Sequence, residues 1–89
     1  SPTVLAAQTA NELLDISGIK ASFVLTVYEG KIYMSARSID EVNVQIIAEK
    51  LGGGGHINSA GAQFDHTNIE EAVNALKETI DKMIEEGDI

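Results

Sequence analysis

The spacing of apolar side chains in the first half of the chain predicts one helix and two strands. Residues 3–14 carry apolar side chains near helical spacing, and residues 21–28 are dense in aromatic and β-branched types. Both faces of the second segment are apolar, so we expect a strand at the centre of a sheet. Residues 29–30 predict a tight turn into a second strand over residues 31–37, which gives an antiparallel hairpin.

The second half of the chain predicts a short helix, a short strand and a long helix. Apolar residues at helical spacing follow Asn43, a good N-cap, and predict a helix over residues 44–51. Small residues at 60–64 predict a third strand. Residues 67–70 fit a capping box that begins with threonine, and the apolar stripe behind it predicts a final helix that ends before Gly87.

The order helix-strand-strand-helix-strand-helix indicates an α/β fold in which helices flank a small mixed β-sheet. The helix between the second and third strands is long enough for a crossover that leaves these two strands parallel. With 89 residues the chain forms a single domain, residues 1–89. Because the chain begins at Ser1 and not at Met, we expect a fragment of a longer protein.

Composition limits the classes of ligand and the cellular location that fit this chain. Six basic residues against fourteen acidic ones give a net charge of −8, which disfavours a long nucleic-acid duplex as partner. Half of the acidic residues lie in the last twenty positions, so an anionic ligand should bind elsewhere: Glu70, Glu71, Glu78, Asp81, Glu85, Glu86 and Asp88. The chain has no cysteine and no apolar run near the roughly 20 residues that span a bilayer, which fits a soluble cytoplasmic domain.

Four consecutive glycines, Gly52–Gly55, precede His56. Glycine loses the most backbone entropy on folding, so such a run is expected where the backbone adopts special angles or closely approaches a ligand. Backbone N–H groups of a glycine loop can surround an anion, and the His56 ring can add a further donor. The run therefore indicates a phosphate-binding loop, with a flexible connector as the alternative.

Arg37 is the only arginine of the chain and ends the second predicted strand, with Ser35 on the same face. A guanidinium can bind a phosphate through two parallel N–H bonds, so Arg37 is a candidate phosphate ligand. The alternative for Arg37 is a surface ion pair with Asp40 or Glu41.

The sequence predicts neither a metal site nor a catalytic residue in this chain. Asp65 and His66 are adjacent, but one carboxylate and one imidazole make neither a coordination shell nor a catalytic triad. We expect His66 in the turn before the last helix. No nucleophile is accompanied by a base, so the chain is expected to bind a ligand without cleaving it and to hold no cofactor of its own.

The glycine run with its histidine, followed by residues 57–64, resembles the signature of the DHHA1 domain of DHH-family phosphoesterases. Residues 35–38 and 43–44 match the strand and helix that precede this signature in the same domain. The segment is most similar to the C-terminal domain of bacterial membrane-anchored cyclic-di-AMP phosphodiesterases, and next to oligoribonuclease-type enzymes. The resemblance covers nearly the whole chain.

The resemblance implies a two-domain hydrolase in which a separate DHH domain carries Mn²⁺ and cuts the phosphodiester. This domain would hold cyclic-di-AMP, its linear product pApA or a short oligoribonucleotide. Arg37 would contact a phosphate, Gly53, Gly54 and Gly55 would give close backbone approach, and His56 would assist near the scissile bond, with Ser35 as a weaker candidate. The resemblance also implies a membrane-anchored parent chain with this domain on the cytoplasmic side, and it allows a homodimer.

DHHA1 domains also resemble the C-terminal region of alanyl-tRNA synthetases. This gives an alternative function without hydrolysis, namely RNA or tRNA binding, or dimerisation. An RNA-binding module is expected to present a basic surface, which six basic residues against fourteen acidic ones do not supply. The sequence therefore favours a nucleotide-binding domain of a phosphodiesterase.

Overall fold

Helices pack on both faces of an antiparallel sheet in this protein. A computed structural model describes residues 1–88, which contain seven elements: α1 (Pro2–Leu13), β1 (Ala21–Tyr28), β2 (Lys31–Ser38), α2 (Val44–Lys50), β3 (Gly54–His56), β4 (Ser59–Phe64) and α3 (Ile69–Glu85). The four strands form one sheet in the order β1-β2-β4-β3. The α/β class, the antiparallel hairpin of β1 and β2, and the three predicted helices are confirmed. No helix in residues 1–88 is long and apolar enough to cross a membrane.

Strand β3 is missing from the sequence prediction, and it changes the sheet. It pairs with β4 through a two-residue turn at Ile57 and Asn58. Strand β4 also pairs antiparallel with β2 and therefore lies between β2 and β3. The predicted parallel pairing of the second and third strands is wrong, and the sheet is antiparallel rather than mixed. Prediction misses β3 because two of its three residues are glycine, which has neither strand propensity nor a side-chain pattern.

Strand β1 lies at an edge of the sheet, in contrast to the central position predicted from its two apolar faces. Both faces are nevertheless covered by other elements. Helix α1 packs on one face, where Ser22 Oγ donates a hydrogen bond to the carbonyl oxygen of Ala10 at 2.6 Å. On the other face, Phe23 and Leu25 pack against the core. The burial of both faces does not determine the position of a strand in the sheet, because neighbouring strands pair through their edges.

Side-chain caps fix the starts of α2 and α3. Asn43 Oδ1 accepts a hydrogen bond from the backbone nitrogen of Ile46 at 3.3 Å, which confirms the predicted cap of α2. The cap of α3 is Asn68, whose Oδ1 accepts from the backbone nitrogen of Glu71 at 2.9 Å. Thr67, the predicted cap, donates instead to the carboxylate of Glu71. Helix α3 therefore begins one residue later than the capping-box pattern predicts.

The core lies on one face of the sheet, between the strands and helices α2 and α3. Its buried side chains are Met34, Ala36, Val44, Ile47, Ala48, Ala60, Ala62, Leu76 and Met83. On the opposite face, α1 packs against β1 and β2. The rest of that face is formed by Ser59, Gly61 and Gln63 of β4 with Gly54 and His56 of β3, and we call it the open face. Its side chains, those of Ser59, Gln63 and His56, are exposed to solvent.

Candidate functional site

Three polar residues form a row across three strands at one end of the sheet. Ser59 on β4 pairs with Arg37 on β2 and with His56 on β3. Paired residues of antiparallel strands lie on the same face with Cα atoms about 5 Å apart, so Arg37 and His56 flank Ser59 with about 10 Å between their Cα atoms. This polar row brings together Arg37 and His56, two of the three polar candidates that the sequence predicts.

Within residues 1–88 the guanidinium of Arg37 has a single hydrogen-bond partner. Its Nη1 donates a hydrogen bond to the carbonyl of Ala36 at 2.9 Å, and within residues 1–88 it forms no ion pair. The ion pair with Asp40 or Glu41 that the sequence left open is therefore absent from the described residues. Glu41 instead binds Lys20, with 3.3 Å between Nζ and Oε1. A backbone hydrogen bond and the contacts with Lys20 hold the pKa of Glu41 below its ordinary value.

Ser59 is the member of the polar row that sequence reasoning missed. The side chains of Ser59 and His56 are exposed, and no hydrogen bond within residues 1–88 occupies either of them. Ser59 could have been identified from the two residues that separate it from His56, because two-residue loops are common in antiparallel hairpins. Recognition of that hairpin would have placed Ser59 directly opposite His56.

Ser35 lies in the row next to the polar row, as its place two residues before Arg37 predicts. It pairs with Gly61, and Gly61 pairs with Gly54. Because these two glycines have no side chains, the open face is flat beside the polar row. Ser35 is half-buried at the margin of this flat area.

Two glycines of the run are required by strand packing. A Cβ atom on Gly53 would lie 2.0 Å from the carbonyl oxygen of Gly61. Gly55 has a φ of +145°, and a Cβ atom there would lie 2.6 Å from the Cα of Ala60. The backbone of residues 53–55 thus packs so closely on β4 that a side chain would collide with the strand.

Gly52 is required by the end of helix α2. It has a φ of +87°, and its backbone nitrogen donates to the carbonyl of Glu49 at 3.1 Å. The nitrogen of Gly53 donates to the carbonyl of Ala48 at 2.8 Å. These two bonds form a Schellman motif, in which a left-handed residue closes the helix. The first glycine of the run therefore ends helix α2 in a defined conformation.

Gly54 differs from its neighbours because nothing within the described chain requires glycine there. Its φ lies outside the left-handed region, and a Cβ atom on it would meet no heavy atom within 4 Å. This residue lies on the open face, two positions from His56. It is the member of the run whose glycine is explained by neither backbone conformation nor internal packing.

Hydrogen bonds clamp the turn between β3 and β4 beside the polar row. The Asn58 side chain donates to Ser38 Oγ at 2.9 Å and lies within 3.3 Å of the carbonyl oxygen of Asp40. Ser38 Oγ in turn donates to the carbonyl of Val42 at 2.5 Å, and the Val44 nitrogen donates to the carbonyl of residue 57 at 2.8 Å. The ends of β2 and β3 are thus held together by a network that sequence reasoning did not predict.

The acidic helix α3 and the polar row lie on opposite sides of the sheet. Leu76 and Met83 attach α3 to the core face, so the acidic residues of this helix are separated from the polar row by the sheet. The site therefore keeps an uncompensated positive charge at Arg37 although the chain as a whole carries −8.

Asp65 and His66 lie away from the polar row. They follow Phe64, which pairs with Ile32 at the end of β2 opposite to Arg37. His66 has a φ of 57° in the turn before α3, which confirms its predicted position. Within residues 1–88 no group of three or more His, Cys, Asp or Glu side chains could hold a metal ion.

Several known proteins have sequences similar to that of this chain. The DHHA1 domain family matches residues 3–86. The chain is 48% identical over 85 residues to the cyclic-di-AMP phosphodiesterase GdpP of Geobacillus thermodenitrificans, covering 94% of this chain and 13% of that protein. It is 48% identical over 80 residues to the cyclic-di-AMP phosphodiesterase PdeA of Listeria monocytogenes, covering 89% and 12%. It is 35% identical over 65 residues to the bifunctional oligoribonuclease and PAP phosphatase NrnA of Thermus thermophilus, covering 73% and 20%.

A solved structure has the same fold. It is an exopolyphosphatase-related protein from Bacteroides fragilis, with a TM-score of 0.77 and 29% sequence identity over 83% of this chain and 22% of that chain. The chain spans about an eighth of the length of GdpP from Geobacillus thermodenitrificans and of PdeA from Listeria monocytogenes. The resemblance found in the sequence is confirmed, and the chain belongs to the DHHA1 domain family.

Proposed function

We propose that the open face binds a phosphate of cyclic-di-AMP, its linear product pApA or a short oligoribonucleotide. A DHH domain elsewhere in the parent protein hydrolyses the phosphodiester with Mn²⁺, on the cytoplasmic side of the membrane. The observation that carries this proposal is the polar row, in which an unpaired guanidinium, an exposed hydroxyl and an exposed imidazole share one face of the sheet.

The polar row suits a phosphate because each of its members can donate a hydrogen bond. Arg37 supplies a charge-assisted and bidentate donor, Ser59 a hydroxyl and His56 a ring N–H. With about 10 Å between the Cα atoms of Arg37 and His56, one phosphate group fits above Ser59. The three donors would fix the orientation of the phosphodiester toward the catalytic domain.

Gly54 supports the same position for the ligand. Glycine within a strand destabilises a fold by roughly 0.5–1 kcal/mol relative to alanine, and nothing inside the described chain requires it at this position. Close approach of a ligand to the backbone explains why residue 54 has no side chain. Backbone contacts from Gly53 and Gly55 stay a prediction, because packing against β4 already explains both glycines.

The names of the relatives support a nucleotide phosphate as the ligand. GdpP and PdeA are named as cyclic-di-AMP phosphodiesterases, and NrnA as an oligoribonuclease and PAP phosphatase. This chain matches 20% or less of each, so we assign the hydrolytic machinery to the remainder of the parent protein. The described residues lack a three-ligand metal cluster, and this supports placing Mn²⁺ in the other domain.

Within this arrangement Arg37 and His56 have different roles. Arg37 is anchored by its bond to the Ala36 carbonyl and binds the phosphate in the ground state and in the transition state alike. His56 stands at the exposed edge of the sheet, where it would donate to an oxygen that gains negative charge during the reaction.

Steady-state kinetics of the parent enzyme tests the proposal. We expect Arg37→Ala to raise KM, and His56→Ala to lower kcat more than it raises KM. Each loss should be roughly 10-fold to 150-fold, since a hydrogen bond to a charged group contributes about 1.5–3 kcal/mol. Lys77→Ala, an exposed change on α3, is the control for lost positive charge. Well-folded Arg37 and His56 variants with unaltered kcat and KM would contradict the proposal.

A further inference from the structure

We propose that β1 pairs antiparallel with β1 of a second copy of this chain, so that four strands from each copy form one continuous sheet. This inference does not depend on the proposed function, because the polar row ends at β3 and β1 forms the opposite edge of the sheet. Three observations lead to it, namely the unblocked edge of β1, the direction of its backbone groups and the exposed apolar side chains beside it.

The outer edge of β1 lacks the features with which sheet edges usually avoid pairing. Natural edge strands are protected by short length, proline, charged side chains or a bulge, because their unpaired backbone groups are a template for another strand. Strand β1 is eight residues long, Ala21–Tyr28, and contains neither proline nor a charged residue. Its pairing with β2 runs without interruption over all of these residues, so the strand has no bulge. The edge is therefore open to a further strand.

The turn between β1 and β2 determines which backbone groups face outward. Glu29 and Gly30 have φ values of 50° and 76°, as a type I′ turn requires. In such a hairpin the closing pair, Tyr28 and Lys31, exchanges both backbone hydrogen bonds, and every second pair along the ladder does the same. The intervening residues direct their N–H and C=O groups away from β2: Phe23, Leu25 and Val27. Within residues 1–88 these groups form no backbone hydrogen bond with any other element.

The outward groups of β1 are complementary to themselves about Leu25. A two-fold axis at Leu25 pairs this residue with its own copy and pairs Phe23 of each chain with Val27 of the other. Each of these pairs exchanges two backbone hydrogen bonds, since all three residues direct their N–H and C=O groups outward. Val27 is 61% exposed, and this register places it against an aromatic ring. Pairs of an aromatic and a β-branched residue are among those that stabilise sheets.

Helix α1 directs small side chains toward the sheet and leaves a leucine exposed beside the β1 edge. Ala6 and Ala10 are buried against the strands, whereas Leu5 is 63% exposed. The bond from Ser22 at the start of β1 to Ala10 near the end of α1 shows that the helix runs antiparallel to the strand. Because a right-handed helix turns about 100° per residue, Leu5 then lies on the flank of α1 above the free edge.

Pairing of the two β1 strands brings the two α1 helices to packing distance. Helix α1 packs on both β1 and β2, and neighbouring strands are about 4.8 Å apart, so the two helix axes would lie about 10 Å apart. Packed helices have axes about 8–10 Å apart. From the bond between Ser22 and Ala10, Leu5 lies about 8 Å back along the helix and Leu25 about 10 Å along the strand. Leu5 therefore lies close to the two-fold axis and packs against its own copy.

Sedimentation velocity of the 89-residue chain tests this interface. We expect a reversible monomer–dimer equilibrium at concentrations up to about 1 mM, with the dimer favoured by added salt because each copy carries a charge of −8. Val27→Lys should raise the dissociation constant at least about tenfold, since it buries an unpaired ammonium group against Phe23 of the second copy. Ile57→Lys, the same charge change at an exposed residue near the opposite edge, should leave the constant unchanged.

Single-cysteine variants test the register, because the chain has no cysteine of its own. Leu5→Cys should form an intermolecular disulfide under mild oxidation, and adding Val27→Lys should suppress it. Gln8→Cys, an exposed position on the side of α1 away from the sheet, should stay reduced at the same concentration. Thermal melts confirm that each variant is folded.

Three results would overturn the inference. The first is a chain that stays monomeric over the whole concentration range at high salt. The second is a dimer whose dissociation constant is the same in folded Val27→Lys and Ile57→Lys variants. The third is a dimer in which Gln8→Cys forms the disulfide as readily as Leu5→Cys, since the copies would then associate through another surface.

Discussion

The side-chain amide of Asn58 donates a hydrogen bond to Ser38 Oγ over 2.9 Å, and this contact joins the β3–β4 turn to the end of β2. Ser38 directly follows Arg37, and the turn directly follows His56. The contact therefore fixes the two ends of the polar row relative to each other. Ser38 is only 5% exposed, so the bond lies in a protected environment and restricts the geometry of the site.

Replacement of Asn58 by alanine should destabilise the domain. The change removes the donor to Ser38 Oγ and to the loop carbonyls near it. We expect a loss of about 1–3 kcal/mol, because the buried Ser38 Oγ would lose the donor from which it accepts a hydrogen bond. Urea denaturation followed by circular dichroism measures the loss. Asn74→Ala, an exposed change on α3, is the matched control, and equal stability of the two variants would show that the clamp has no structural role.

Alanine at the last three glycines of the run should give opposite results at neighbouring positions. Gly53→Ala and Gly55→Ala should destabilise the fold, because the added methyl group meets β4 at 2.0 Å and 2.6 Å. Gly54→Ala should preserve or raise stability by up to about 1 kcal/mol, because the added methyl group meets open space. Thermal melts of the three variants measure these effects.

The same glycine series also tests ligand contact. Gly54→Ala should weaken binding of pApA even though the fold is as stable as the wild type, since the methyl group would occupy the space of the ligand. Calorimetric titration of the variant measures this loss. A stable Gly54→Ala variant with wild-type affinity would mean that the backbone at residue 54 does not contact the nucleotide.

Ser59→Ala should weaken ligand binding while leaving the stability of the fold nearly unchanged. The Ser59 side chain is exposed and forms no hydrogen bond within residues 1–88, so the change should alter stability by less than about 0.5 kcal/mol. Loss of one uncharged donor to the phosphate should weaken pApA binding about 2-fold to 10-fold. Ser17→Ala, in the exposed segment after α1, is the control. Identical affinities for these two serine variants would remove Ser59 from the site.

The isolated domain should show no phosphodiesterase activity with Mn²⁺. It has no group of three or more metal-ligating side chains within residues 1–88, and sequence reasoning found no nucleophile with a base. Product analysis after prolonged incubation with cyclic-di-AMP and Mn²⁺ measures this. Hydrolysis that survives repeated purification and disappears in the His56→Ala variant would show that the domain itself is catalytic.

The helices were predictable because their apolar stripes and caps are local signals. Asn43 caps α2 as its sequence position predicts, and the buried residues Ala72, Leu76 and Met83 of α3 belong to the predicted stripe. Sheet order was not predictable in the same way. It depends on β3, whose residues Gly54 and Gly55 have no side-chain pattern, and on long-range pairing that local spacing does not encode.

Residue chemistry drew attention to only part of the site. Arg37 and His56 attracted attention as the only arginine and as the histidine beside four glycines. Ser59 did not, because an isolated serine has no distinguishing pattern and its importance comes from its register between the two strands. The sequence predicts one phosphate-binding loop over the four glycines, but the structure gives Gly52 a role in ending a helix and shows that packing on β4 requires Gly53.

The polar row and the flat area beside it are proposed to bind a nucleotide phosphate. Titration of the ¹⁵N-labelled domain with pApA, with mapping of the backbone amide shifts, tests this binding. We expect the largest shifts at Gly54, His56, Ser59 and Gly61, and their loss in the Arg37→Ala variant. Shifts confined to α3, or shifts on the open face that are unchanged in the Arg37→Ala variant, would contradict the claim.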